Sequence, residues 1–219
     1  LIGTSAGANL TTDSNVVAIG RNAGSTGTTK LTNSVIIGYG ALQAGNISQN
    51  SVMIGTEAGY SLSSTNTNGT VALGHQSQYR NQTGRYNTGL GYATLRTNID
   101  GDSNTAVGYA SMYNFEAASD GEGDNTAVGT NALNNATTGT HNTAVGSHVA
   151  RTGTNDLTTG TGNTLIGSYA ALSSGSAVNE IVIGSGSIGL GDNQTVIGNS
   201  GQTHVVFGGD ALISGSAQS

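Results

Sequence analysis

The sequence predicts an all-β solenoid, on three observations. Thirteen glycines, at positions 3, 20, 38, 55, 74, 91, 108, 129, 146, 167, 184, 198 and 208, each directly follow a large apolar residue. The steps between them are 17, 18, 17, 19, 17, 17, 21, 17, 21, 17, 14 and 10, so a repeated unit is the building block. A unit of about 17 residues suits one coil: two short strands and two turns, stacked on copies of itself. Secondly, composition opposes helix, with 36 Gly among 219 residues and β-branched types dominating the apolar triplets. Thirdly, no long stretch shows apolar residues three and four apart.

Within each coil the strand comes first. The residue before the glycine is Ile19, Ile37, Ile54, Leu73, Leu90, Val107, Val128, Val145, Ile166 or Ile183, with Ile2, Ile197 and Phe207 at the ends. Two places earlier stand Val17, Val35, Val52, Val71, Thr88, Thr105, Thr126, Thr143, Thr164 and Ile181. Strand residues two apart share a face, and these large side chains are expected to line the coil core. The residue between them is Ala18, Ile36, Met53, Ala72, Gly89, Ala106, Ala127, Ala144 or Leu165. None is polar, so the opposite face is expected to need cover too, from another copy of the chain. Ala18, Ile36, Met53, Ala72, Ala106, Ala127, Ala144 and Leu165 are therefore the expected subunit interface.

The third residue after the glycine is usually small (Ala23, Ala41, Ala58, Ser77), and the fourth is often Leu, Met or Gly. This segment is expected to form or enter the second strand. Asn recurs four or five places before the glycine, as at Asn33, Asn50, Asn104 and Asn142. Asn tolerates left-handed turns, and stacked Asn can form hydrogen-bonded ladders. About twelve coils would make a rod on the order of 55–60 Å long.

Several function classes recede on composition. The formal net charge is −6, with 6 Lys and Arg in all, so the basic stripe that nucleic acid requires is missing. No apolar run approaches a membrane span, so no direct membrane insertion is expected. The lack of cysteine suits an extracellular protein. The chain opens inside a repeat, at Leu1-Ile2-Gly3, as a fragment of a longer polypeptide would.

The units Asn33-Ser34-Val35-Ile36-Ile37-Gly38, Asn50-Ser51-Val52-Met53-Ile54-Gly55 and Asn104-Thr105-Ala106-Val107-Gly108-Tyr109-Ala110 resemble the head repeats of trimeric autotransporter adhesins, the YadA-like head. The resemblance covers roughly residues 1–184. It implies a left-handed parallel β-roll, a homotrimer packed side by side, and a surface-exposed adhesive or spacer role. Similar repeats occur in bacteriophage tail fibres. The stretch from Gln194 through Phe207 to Gln218 is more similar to such fibres than to an autotransporter neck. There the steps shrink to 14 and 10, so 185–219 is expected to lead into a further trimeric β element. The resemblance thus points to a phage tail fibre that displays loops to a host receptor or glycan, with the head of a bacterial adhesin or an extracellular spacer as the alternatives.

Asp100, Asp102, Asp120, Glu122 and Asp124 fall on corresponding loops of adjacent coils. Clustered carboxylates repel unless neutralised, and oxygen-only ligands with intervening Gly make this a candidate Ca²⁺ site, set against a plain solvated acidic loop. No cofactor is required by this reading. Coils of 19 and 21 residues bulge near residues 60–69, 113–124 and 151–162, where Tyr60, Tyr113, Asn114 and Asp156 are candidate ligand contacts. Tyr beside amides can stack on sugars and hydrogen-bond them, although edge packing over coil corners is the plainer role. His75, His141, His148 and His204 share no metal-ligand spacing. Catalysis is not expected. Ile19-Gly20-Arg21-Asn22-Ala23-Gly24 matches an acyltransferase hexapeptide locally, but that fold needs three such hexads per coil and this chain has one. Nor do the Thr-Gly-Thr triplets, at unequal offsets from their glycines, build the flat ladder of an ice-binding face.

Overall fold

The computed structural model describes residues 1–10, 14–25, 31–44, 48–62, 68–117, 122–153 and 155–201. Its strands are β1 Ser14–Ile19, β2 Leu31–Ile37, β3 Ser48–Gln49, β4 Val52–Ile54, β5 Val71–Leu73, β6 Thr88–Leu90, β7 Thr105–Val107, β8 Thr126–Val128, β9 Thr143–Val145, β10 Thr164–Ile166, β11 Ile181–Ile183 and β12 Thr195–Ile197. Eleven of them stack in chain order into one parallel sheet, with β3 beside β2, giving a solenoid of about ten turns. There is no helix among the described residues.

Register follows the repeat, whatever the step length. Ala106 lies opposite Ala127 and Ala127 opposite Ala144, across steps of 21 and 17. The longer step leaves the ladder intact. At the C-terminal side, Ile181 pairs with Thr195 across the 14-residue step. The roll therefore continues past the expected boundary at residue 184 to at least Ile197. Residues 202–219, with most of the expected further β element, lie outside the described residues.

The repeat glycines fix each corner. From Gly3 to Gly184 this column has φ between +120° and +137°, a region that side chains avoid. The column is also crowded: a Cβ on Gly129 would meet the Gly146 carbonyl oxygen at 2.2 Å. No side chain fits between coils there.

After the corner the chain does not form the expected second strand. Positions two and four after the glycine take left-handed conformations in coil after coil, as at Ala93 (φ 52°) and Leu95 (φ 49°). This twist points successive amides to opposite neighbours. Ala93 N donates to His75 O in the preceding coil (2.9 Å), and Leu95 N to Ser111 O in the following one (3.1 Å). One wall of the coil is thus a strand and the facing wall a stack of hydrogen-bonded turns.

The two strand faces are inverted relative to expectation. Ala18, Ile36, Met53, Ala72, Ala106, Ala127, Ala144 and Leu165 are completely buried inside the single chain, so they form the coil core and no subunit contact. The flanking columns point outward: Ile54 is 36% exposed, Leu90 46%, Val145 39% and Ile166 43%. Ile19, Ile37, Leu73, Val107 and Ile183 are half-buried on the same outer face, and Val128 is exposed. The reason is the width of the coil. Its interior holds one layer of side chains between the strand and the turns, so bulk on one wall is matched by a small residue on the other: Met53 fills the space over Gly59, while Ala106 and Ala127 share their coils with Met112 and Leu133. Gly89 shows how tight it is, since a Cβ there would meet Ser77 Oγ at 2.5 Å and Thr94 Oγ1 at 2.7 Å.

Inside, apolar packing alternates with polar order. One apolar cluster runs from Ala18 to Ala72 and a second from Leu95 to Val182. Between them lies a polar section in which Ser77 Oγ contacts Thr94 Oγ1 at 2.7 Å and Gln78 Nε2 donates to the Val71 carbonyl at 2.8 Å. An asparagine ladder lines the inward position two before the core column. The Oδ1 of Asn125 accepts from both the backbone N (2.9 Å) and Nδ2 (3.1 Å) of Asn142. The same double contact links Asn87 to Asn104, Asn104 to Asn125, and Asn142 to Asn163. Asn15, Asn33 and Asn50, one place earlier, form a separate exposed ladder.

Candidate functional site

Two surface features follow from this geometry: an apolar sheet face and a polar, aromatic turn edge. The sheet face carries the columns one and three places before the glycine. From β1 to β12 those positions hold only Val, Ile, Leu and Thr, without a charge. A contiguous exposed apolar stripe of this extent is characteristic of an interaction surface.

The turn edge is built by the left-handed residues. They turn the first, second, fifth and sixth side chains after each glycine out of the coil, so equivalent residues of adjacent coils lie over one another. At the first position His75, Tyr92 and Tyr109 stack, with centroids 5.0 and 5.1 Å apart and planes within 10°. One coil series over, the Arg21 guanidinium lies 4.7 Å from the Tyr39 ring centre. At the second position His148 stacks on Tyr169 at 5.1 Å. At the fifth position Tyr60 stacks on Tyr79 at 4.9 Å, and the Arg96 guanidinium lies between the rings of Tyr79 and Tyr113. Burial, and then the nearby Glu57 carboxylate, hold the Tyr79 phenol above the usual tyrosine range.

Three of the four candidate ligand contacts come together. Asn114 Nδ2 donates to Asn135 Oδ1 (3.3 Å), and Asn135 Nδ2 donates to Asp156 Oδ2 (2.6 Å). Tyr113 and Asn114 line an open cleft with Tyr109, Asn131, Asn134 and Arg151. Tyr60 is on the same edge but several coils away, in the stack with Tyr79. Two further cleft residues, Asn134 and Arg151, stand five residues after a repeat glycine, in one column with Tyr60, Tyr79, Arg96 and Tyr113. Reading loop bulges instead of offsets from the glycine hides that stripe.

Three of the candidate Ca²⁺ carboxylates, Asp100, Asp102 and Asp124, have side-chain or backbone partners within the chain. Asp102 accepts from Arg85 N at 2.7 Å and pairs with Arg85 Nε at 3.1 Å. Asp100 accepts from Thr83 Oγ1, and exposed Asp124 lies 3.5 Å from His141 Nε2. Glu122 contributes its backbone carbonyl to Asp102 N. Asp120 lies outside the described residues. Among the described residues, no three acidic, His or Cys side chains converge as a metal group.

No protein-family model matches the chain, and no curated protein matches it.

Proposed function

We propose that the chain is a non-catalytic segment of a homotrimeric, left-handed extracellular fibre whose turn edge attaches a phage tail to its host. The carrying observation is the uncharged apolar sheet face, which runs the length of the roll while the small core column is already buried. Three such faces meeting around an axis would remove it from water, at about 25 cal/mol per Å² covered. The turn edge would then remain outside, with its tyrosines and amides free to meet a receptor. The phage assignment rests on the resemblance of the sequence after Gln194 to tail fibres.

The test is binding of the fluorescently labelled chain to panels of bacterial and animal cells. Saturable binding to particular bacteria is the expected result. Binding to animal cells alone would favour the head of a bacterial adhesin. Binding to neither would leave a spacer and overturn the attachment role.

A further inference from the structure

We infer that the cleft beside Tyr109 and Tyr113 is a saccharide site selective for a carboxylated sugar, a deepening that rests on the attachment reading above. Among the described residues that line it, Arg151 alone is charged, and its guanidinium makes no side-chain hydrogen bond or ion pair with the described residues. The neighbouring carboxylate, Asp156, is held by its own loop. It accepts from Thr152 N (2.6 Å), Gly153 N (2.7 Å) and Asn135 Nδ2 (2.6 Å), which leaves the arginine fork unmatched. A planar fork with two parallel donors is the best partner for a carboxylate.

The other groups suit a sugar ring. The phenol oxygen of Tyr113 accepts from Arg96 Nη1 at 3.1 Å, so its own proton is free to donate outward. Tyr109 is 55% exposed and ends the stack with Tyr92, because the next coil places Thr130 at that position. One face of its ring therefore lacks an aromatic neighbour, as sugar stacking requires. Asn114 supplies a further amide at the rim. An unmatched cation thus stands beside an exposed ring face and a free phenol proton, and a uronic-acid residue can engage all three. A neutral hexose could accept from Arg151 but would leave its charge unpaired.

The test is calorimetric titration of the whole chain with oligogalacturonate, and with a neutral maltooligosaccharide of the same length. Binding to the uronate, weakened about tenfold or more by Arg151→Ala and by Tyr109→Ala, is the expected result. Arg151→Lys should restore part of it, and added salt should weaken it. Both residues are on the surface, and unchanged far-UV circular dichroism would show that the variants are folded. Equal affinity for the neutral sugar, or full affinity in Arg151→Ala, would overturn the inference. Failure to bind uronate would overturn it as well, while saturable cell binding by the same chain would leave the attachment reading standing.

Discussion

The repeat glycine is a backbone requirement twice over, through its dihedral and through the space above it. At Gly129 a methyl group would have to share room with the next coil's carbonyl, at φ +136°. Gly129→Ala should therefore cost roughly 2–4 kcal/mol in urea unfolding, from backbone strain and a broken ladder together. Gly153, with φ +89° and nothing within 4 Å, is the matched control. Alanine there carries only the dihedral penalty, on the order of 1 kcal/mol. The buried asparagines form a second single-residue determinant. Asn125 Nδ2 donates to Asn104 Oδ1 and to the Gly139 carbonyl, and its own Oδ1 serves Asn142. Asn125→Leu leaves those buried groups unpaired, so its cost should be about 2–4 kcal/mol in the same measurement.

At the scale of the element, the short strand was legible and its orientation was not. Glycine spacing located every strand from β4 onward to the residue, because the triplet before the glycine is the strand. Side-chain size then misled. Large Ile54 and Leu90 suggested a core, and small Ala106 and Ala127 suggested a close subunit contact. The inward neighbour of the small column is the asparagine ladder, whose phase was visible at Asn104 and Asn125. The ladder was legible, but not that it is buried. A period of two fixes which residues share a face but not which face is inside, unless the width of the coil is known. The turn wall was illegible for a different reason: left-handed Ala93 and Leu95 have no compositional signature, being residues that seldom adopt positive φ. The corrected orientation makes a sharp prediction. Ala127→Glu places an unpaired charge in a filled interior and should abolish cooperative folding, a loss above about 4 kcal/mol. Val128→Glu, one residue on and exposed, should still give a folded chain with β-type circular dichroism.

At the scale of the whole molecule, the proposed fibre would divide the work between the two surfaces. The apolar sheet face would hold chains together, and the turn edge would carry variation without disturbing the register. That separation explains how steps of 21 and 14 residues coexist in one sheet: inserted or deleted residues alter the connection and leave the strand pairs in place. The cleft is lined by residues one to six places after Gly108, Gly129 and Gly146, so its columns are set by the repeat. Of its lining, Tyr113, Asn134 and Arg151 share the offset of five residues, a column that the sequence displays to a reader who counts from the glycine. The link from Asn135 to Asp156 was hidden because it depends on how a 21-residue step folds back.

The central claim is that the flanking columns, and not the buried small column, join three chains. Sedimentation equilibrium of the wild-type chain and of the Val128→Glu/Val145→Glu variant tests it most directly. The wild type should run at three times its 21.7 kDa chain mass, and the variant at one, with the same β-type circular dichroism. A folded wild-type monomer, or a variant that still assembles as a trimer, would contradict it.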